Sequence, residues 1–142
     1  MHSCASSAED ATGQVRLAQR IEAGAIALAA VVAVVAVHPG WWWMLLVAFL
    51  AFDVSMVGYV HSPSVGATTY NLVHNYAFPA AAAVAAFALG TASPTGSTVT
   101  GVLACAWAFH VGVDRALGYG LKLPDSFTST HLGRIGGGVE AR

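Results

Sequence analysis

The sequence predicts an all-α protein, a bundle of four membrane-spanning helices with both termini in the cytoplasm. Three observations lead there. Only 9% of residues are charged while 56% are hydrophobic, and mean hydropathy is +0.64; a soluble domain carries about 25% charged residues. The apolar residues form four long runs without two-residue alternation, which argues against a membrane β-barrel. Turn signals rich in Pro, Gly and Ser separate the runs.

Residues 1–15 are polar and are expected to form a disordered tail. The first span, about 17–37, is too long for the apolar core of a cleavable signal peptide and ends at His38-Pro39-Gly40. The second, about 41–60, opens on Trp41-Trp42-Trp43, three indoles suited to the interfacial belt. A short loop over His61–Ser64 leads to the third span, about 66–90. The loop Thr91–Ser97 leads to the fourth, about 98–120. The membrane domain thus covers 16–122, and 123–142 form a Gly-rich cytoplasmic tail or lid.

Basic residues set the orientation. Arg16 and Arg20 flank the start of span one, and Arg115, Lys122, Arg134 and Arg142 flank or follow the end of span four. The loops His38–Trp43 and Thr91–Thr98 carry neither Lys nor Arg, so the positive-inside rule places both termini in the cytoplasm. A net charge of -1 argues against a nucleic-acid partner. Cys4 and Cys105 lie in different regions and are not expected to pair. Alanine-rich runs allow helices to approach closely, and a homo-oligomer is compatible with them.

Polar residues inside the spans carry the functional reading, because ionisable groups in hydrocarbon are costly. Measured at 1.5 Å per residue, Glu22, Asp53, Asn71, His74, Asp114 and His110 all lie roughly 8–15 Å from the cytoplasmic ends of their spans. The spans alternate in direction, so this common depth does not follow from sequence order. Their spacings are helical as well. Phe49, Phe52, Asp53 and Met56 form one stripe; Asn71, His74, Asn75 and Phe78 form another; Trp107, His110 and Asp114 form a third. Pro79 cannot donate to the Asn75 carbonyl, so an opening is expected there. Structural roles compete with this reading. Asn71 and Asn75 suit interhelical hydrogen bonding, Glu22 can snorkel or pair with Arg20, and Arg115 suits a headgroup anchor.

The leading chemical reading is a cofactor-free, metal-free enzyme that protonates a lipophilic isoprenoid, cyclising or isomerising it. A carboxylic acid in an apolar cavity stays protonated at neutral pH and can donate. Asp53 or Asp114 is the acid, His110 tunes Asp114, and His74 or Glu22 accepts the final proton. Phe49, Phe52, Met56, Tyr59, Asn71, Phe78, Trp107 and Tyr119 form the substrate wall, its aromatic faces stabilising a carbocation. The logic is similar to that of membrane-bound terpene cyclases. A second reading has the two histidines and two or three carboxylates hold iron or zinc, giving a metal-binding membrane oxidoreductase. A third is a proton-coupled carrier or non-enzymatic binding protein.

Five stretches carry a family resemblance: Asp53–Tyr59, Gly66–His74, His110–Arg115, Gly118–Lys122 and Thr130–Arg134. Together they resemble a family of small four-helix bacterial membrane proteins catalogued as a domain of unknown function. The resemblance covers about 16–136. It implies the four-helix fold, a location in the bacterial cytoplasmic membrane, and a C-terminal segment that belongs to the folded unit.

Overall fold

The computed structural model describes residues 2–136, with side chains from Asp10 onward. It is an all-α bundle of four rods. The first is α1, His2–Val37. The second is α2, Met44–Phe52, continued by a 3₁₀ segment Asp53–Val60. The third is α3, Pro63–Val73, and α4, Ala77–Leu89. The fourth is α5, Pro94–Leu117. Three stretches, Asp10–Val37, Pro63–Leu89 and Pro94–Leu117, are long and apolar enough to cross a membrane.

The second rod is shorter in residues but not in reach. Nine α-helical residues and eight 3₁₀ residues span roughly 30 Å, against roughly 26 Å if all were α-helical. That length is comparable to the roughly 30 Å thickness of a hydrocarbon core, although Met44–Val60 is shorter in residues than the other three rods. Its backbone is tied to α3, because Thr69 Oγ1 donates to the Ser55 carbonyl at 2.8 Å.

α1 begins earlier than the sequence leads one to expect. Residues 2–15, read as a disordered tail, are helical. Ala5, Ala8, Glu9, Ala11 and Gln14 are good helix formers. An existing apolar helix extends through them without a new nucleation step. The Cys4 side chain lies outside the described residues, and Cys105 is a free thiol.

Packing is organised on α5, which contacts α1, α2 and α4. Ala23, Ala27, Ala30 and Val34 of α1 form a buried stripe, while Leu28, Val32 and Val35 are at least half exposed. Large apolar side chains outside and small ones inside are the pattern expected where lipid is the solvent. Close approach at α5 depends on Gly112, where an added Cβ would sit 2.7 Å from the Ala23 carbonyl oxygen and 2.9 Å from Ala27 Cβ.

The third rod is broken at His74–Tyr76, one turn before Pro79. Backbone groups freed at membrane depth need internal partners, and Asn75 supplies them. Its Nδ2 donates to the carbonyls of Asn71 and Leu72 at 2.9 and 2.7 Å, and its Oδ1 accepts from Ala77 N at 2.9 Å. Trp107 Nε1 donates to the Val73 carbonyl at 2.7 Å.

α5 ends in a Schellman turn. Gly118 takes φ 97°, its N–H donates to Arg115 O, and Tyr119 N–H donates to Asp114 O. The chain then folds back over the end of the bundle as a small hairpin, β1 Ser129–Thr130 with β2 Gly133–Arg134. Asn71 clasps it to α3: Oδ1 accepts from Lys122 N–H at 2.7 Å and Nδ2 donates to Lys122 O at 2.9 Å. His131 Nδ1 accepts from Leu121 N–H at 2.8 Å.

Two predictions follow from this packing. Gly112→Val should lower stability in detergent by about 1–3 kcal/mol through overpacking, read from the thermal midpoint. Gly13→Ala, where nothing lies within 4 Å, should leave it unchanged or raise it. The second concerns pH. Burial, helped by Arg115, holds His131 below its ordinary value of 6.5. A lowered native value means that the unfolded segment binds the proton more readily. The fold-back is therefore fully stabilised above pH 6.5 and weakens as pH falls below it. Hydrogen exchange at Leu121 N–H should accelerate over that window, beyond its intrinsic pH dependence, and His131→Gln should remove the effect.

Candidate metal centre

α5 contributes His110 and Asp114, four residues apart and therefore on one face. His74 comes from the residue at which α3 stops, and Asp53 from the residue at which α-helix gives way to 3₁₀. Two of the four groups thus sit where their rods leave α geometry. His110 and His74 are buried, at 0% and 2% exposure, whereas the Asp114 and Asp53 side chains are 14% and 33% exposed.

Their donor atoms converge. His110 Nε2 lies 2.8 Å from His74 Nε2. Asp53 Oδ1 lies 3.5 Å from His74 Nε2 and 3.6 Å from His110 Nε2. Asp114 Oδ2 lies 3.5 and 3.8 Å from the same two nitrogens. One donor atom from each residue falls within 4.8 Å of all the others. The edges of this four-atom set run from 2.8 Å to at most 4.8 Å, on either side of the roughly 3.4 Å edge of a tetrahedron whose corners lie about 2.1 Å from a first-row metal.

Surrounding groups set the orientation of these donors. His74 Nδ1 faces the Tyr70 carbonyl at 3.0 Å. A carbonyl only accepts, so Nδ1 carries the proton and Nε2 turns a bare lone pair toward the cluster. The Tyr70 hydroxyl donates to Asp114 Oδ2 at 2.8 Å, and its ring stacks on His74 with centroids 3.6 Å apart. Phe49 and Phe52 pack against the His110 ring at 4.4 and 5.4 Å. Two bare or shared nitrogens and two carboxylate oxygens at this spacing form an electron-rich cluster. It calls for a cation or for protons.

A cavity of about 280 Å³ opens beside the carboxylates, bordered by Phe49, Asp53, Met56, Tyr70, Asp114 and Lys122, with Leu117, Tyr119 and Phe127 closing it. Lys122 is 4% exposed. Burial pushes its ammonium below the ordinary lysine value, and the Asp114 carboxylate opposes that shift.

The sequence-derived candidates divide into three groups. Asp53, His74, His110 and Asp114 meet. Phe49, Met56 and Tyr119 reach the cavity, and Phe52 supports His110. The remaining candidates lie elsewhere. Phe78 stacks on the Trp107 ring with centroids 5.5 Å apart, and Trp107 in turn stacks on Phe52 at 5.1 Å, as packing. Tyr59 sits edge-on to Phe127 and against Gly66. Asn71 is committed to the Lys122 backbone. Glu22 is exposed on α1 and borders a separate recess with Arg115 and His131. The break after Val73 is why the Asn71–Phe78 stripe does not remain one face.

Tyr70 and Lys122 carry no site role in the sequence reading. Tyr70 precedes His74 by four residues, so its place on the same face was legible. Lys122 reaches the site only because the chain reverses after Gly118, which helical spacing does not report.

No curated protein and no solved structure matches this chain. One family model matches residues 16–135. The chain belongs to that family, described as a domain of unknown function, DUF4260.

Proposed function

We propose that Asp53, His74, His110 and Asp114 hold one divalent transition-metal ion, and that the protein is a membrane metalloenzyme acting on a lipophilic molecule in the adjoining cavity. The observation that carries this is the convergence of four donor atoms within 4.8 Å, two of them imidazole nitrogens 2.8 Å apart. Charge supports it. Two carboxylates at membrane depth are expensive alone, and a divalent ion cancels them. Iron(II) is the favoured occupant, since imidazole and carboxylate ligands with open positions suit non-haem iron; zinc is the competitor. Bound iron would supply Lewis acidity or one-electron chemistry. The chain's own contribution is to orient His74 through the Tyr70 carbonyl, hold Asp114 through the Tyr70 hydroxyl, and exclude water with Phe49 and Phe52. The distribution of basic residues and the family resemblance support a location in a bacterial cytoplasmic membrane.

A metal-free acid that cyclises an isoprenoid ranks second. Its support is the aromatic border of the cavity, Phe49, Tyr70, Tyr119 and Phe127. The Tyr70 hydroxyl donates to Asp114 Oδ2, so in that mechanism the acidic proton would sit on Asp114 Oδ1 or on Asp53.

The deciding measurement is elemental analysis of purified protein reconstituted with iron or zinc. Stoichiometric metal is expected in the wild type and in Glu22→Gln, with loss in His74→Ala and His110→Ala. Tyr70→Phe should keep the metal with affinity about 10–100-fold weaker, as for other groups that orient a ligand. Folded wild type that binds no metal, with cyclised product surviving chelator, would hand the site to the acid mechanism.

A further inference from the structure

We propose that the cavity beside the cluster binds a lipophilic carboxylate, its oxygens on the Lys122 ammonium and its apolar body against Phe49, Met56, Leu117 and Phe127. The inference rests on the metal reading and adds the class of molecule that the site recognises.

The observation behind it is a buried cation that no carboxylate among the described residues touches within ion-pair distance. Lys122 is 96% buried yet borders the cavity together with Asp53 and Asp114. Its backbone is held on both sides by Asn71, so the side chain starts from a fixed point. Nζ donates to the Phe127 carbonyl at 3.1 Å and lies 4.0, 5.0 and 5.8 Å from the ring centres of Phe127, Tyr70 and Tyr119. Among the described residues no carboxylate comes within ion-pair distance of it. An ammonium has three donors, and one is used. The aromatic faces ease the charge but leave two hydrogens without an oxygen.

Charge selects the ligand. A divalent ion and the two aspartates cancel, which leaves the lysine as one uncompensated positive charge. A carboxylate closes that balance. A neutral alcohol leaves the ammonium unpaired, which is costly in a buried site. A phosphomonoester brings close to two negative charges and places the excess beside Asp114. Apart from Lys122, the two aspartates and the two tyrosines, the border of the cavity is apolar, and its volume of about 280 Å³ is close to the lower limit of ligand pockets.

The test uses full-length protein in nanodiscs, loaded with cobalt(II), whose visible absorption reports on what lies next to the metal. Decanoate, decanol and decyl phosphate are the probes. Decanoate should perturb the spectrum at concentrations about tenfold below decanol, the size of one charge-assisted hydrogen bond. Lys122→Met should erase that preference with cobalt content unchanged, and Lys122→Arg should keep it. Equal responses to acid and alcohol, a stronger response to decyl phosphate, or a preference that survives Lys122→Met would each overturn the inference while leaving the metal centre intact. Failure to take up cobalt would overturn both, because the charge balance would be gone.

Discussion

Hydrocarbon gives an ionisable side chain nothing to interact with, so Asp53, His74, His110 and Asp114 can sit at bilayer depth only by facing one another. That constraint governs the rest of the structure. It requires three rods to present their polar groups at one level and toward one axis. The 2.8 Å approach of the two imidazoles shows how far the requirement is met. Water as solvent would have allowed the same residues to point outward at little cost.

Regular helices do not meet the constraint by themselves. α5 keeps its α geometry and delivers His110 and Asp114 through simple i, i+4 spacing. The second and third rods give up α geometry at the cluster, one changing to 3₁₀ at Asp53 and the other breaking at His74. Each departure exposes backbone groups that lipid cannot satisfy. Thr69, Asn75 and Trp107 satisfy them with side-chain hydrogen bonds. These polar residues are therefore part of the scaffold that allows the site to form.

Close packing around α5 comes from small residues. Ala23, Ala27, Gly112 and the Gly58–Gly66 approach bring backbones together where larger side chains would hold them apart. The end of the bundle is closed differently. A Schellman turn at Gly118 reverses the chain, and Asn71 pins Lys122 in place over the cavity. The segment after α5 thus belongs to the site as well as to the fold.

The long apolar helices and the four rods were legible in the sequence, and Asp53, His74, His110 and Asp114 were among the intramembrane polar residues it singled out. Each depends on local composition or on helical spacing, quantities that a linear chain carries directly. The extra helical turns before Arg16, the break at His74 and the exclusion of Glu22, Asn71 and Tyr59 from the cluster were not. Those outcomes depend on rotation about helix axes and on backbone departures that long-range partners stabilise. Lys122 shows the same limit, since its burial over the cavity follows from a chain reversal and a clasp to a residue 51 positions away. Sequence determined which groups must avoid lipid; tertiary structure alone decided which of them meet, because meeting is a property of three rods and a folded-back segment together.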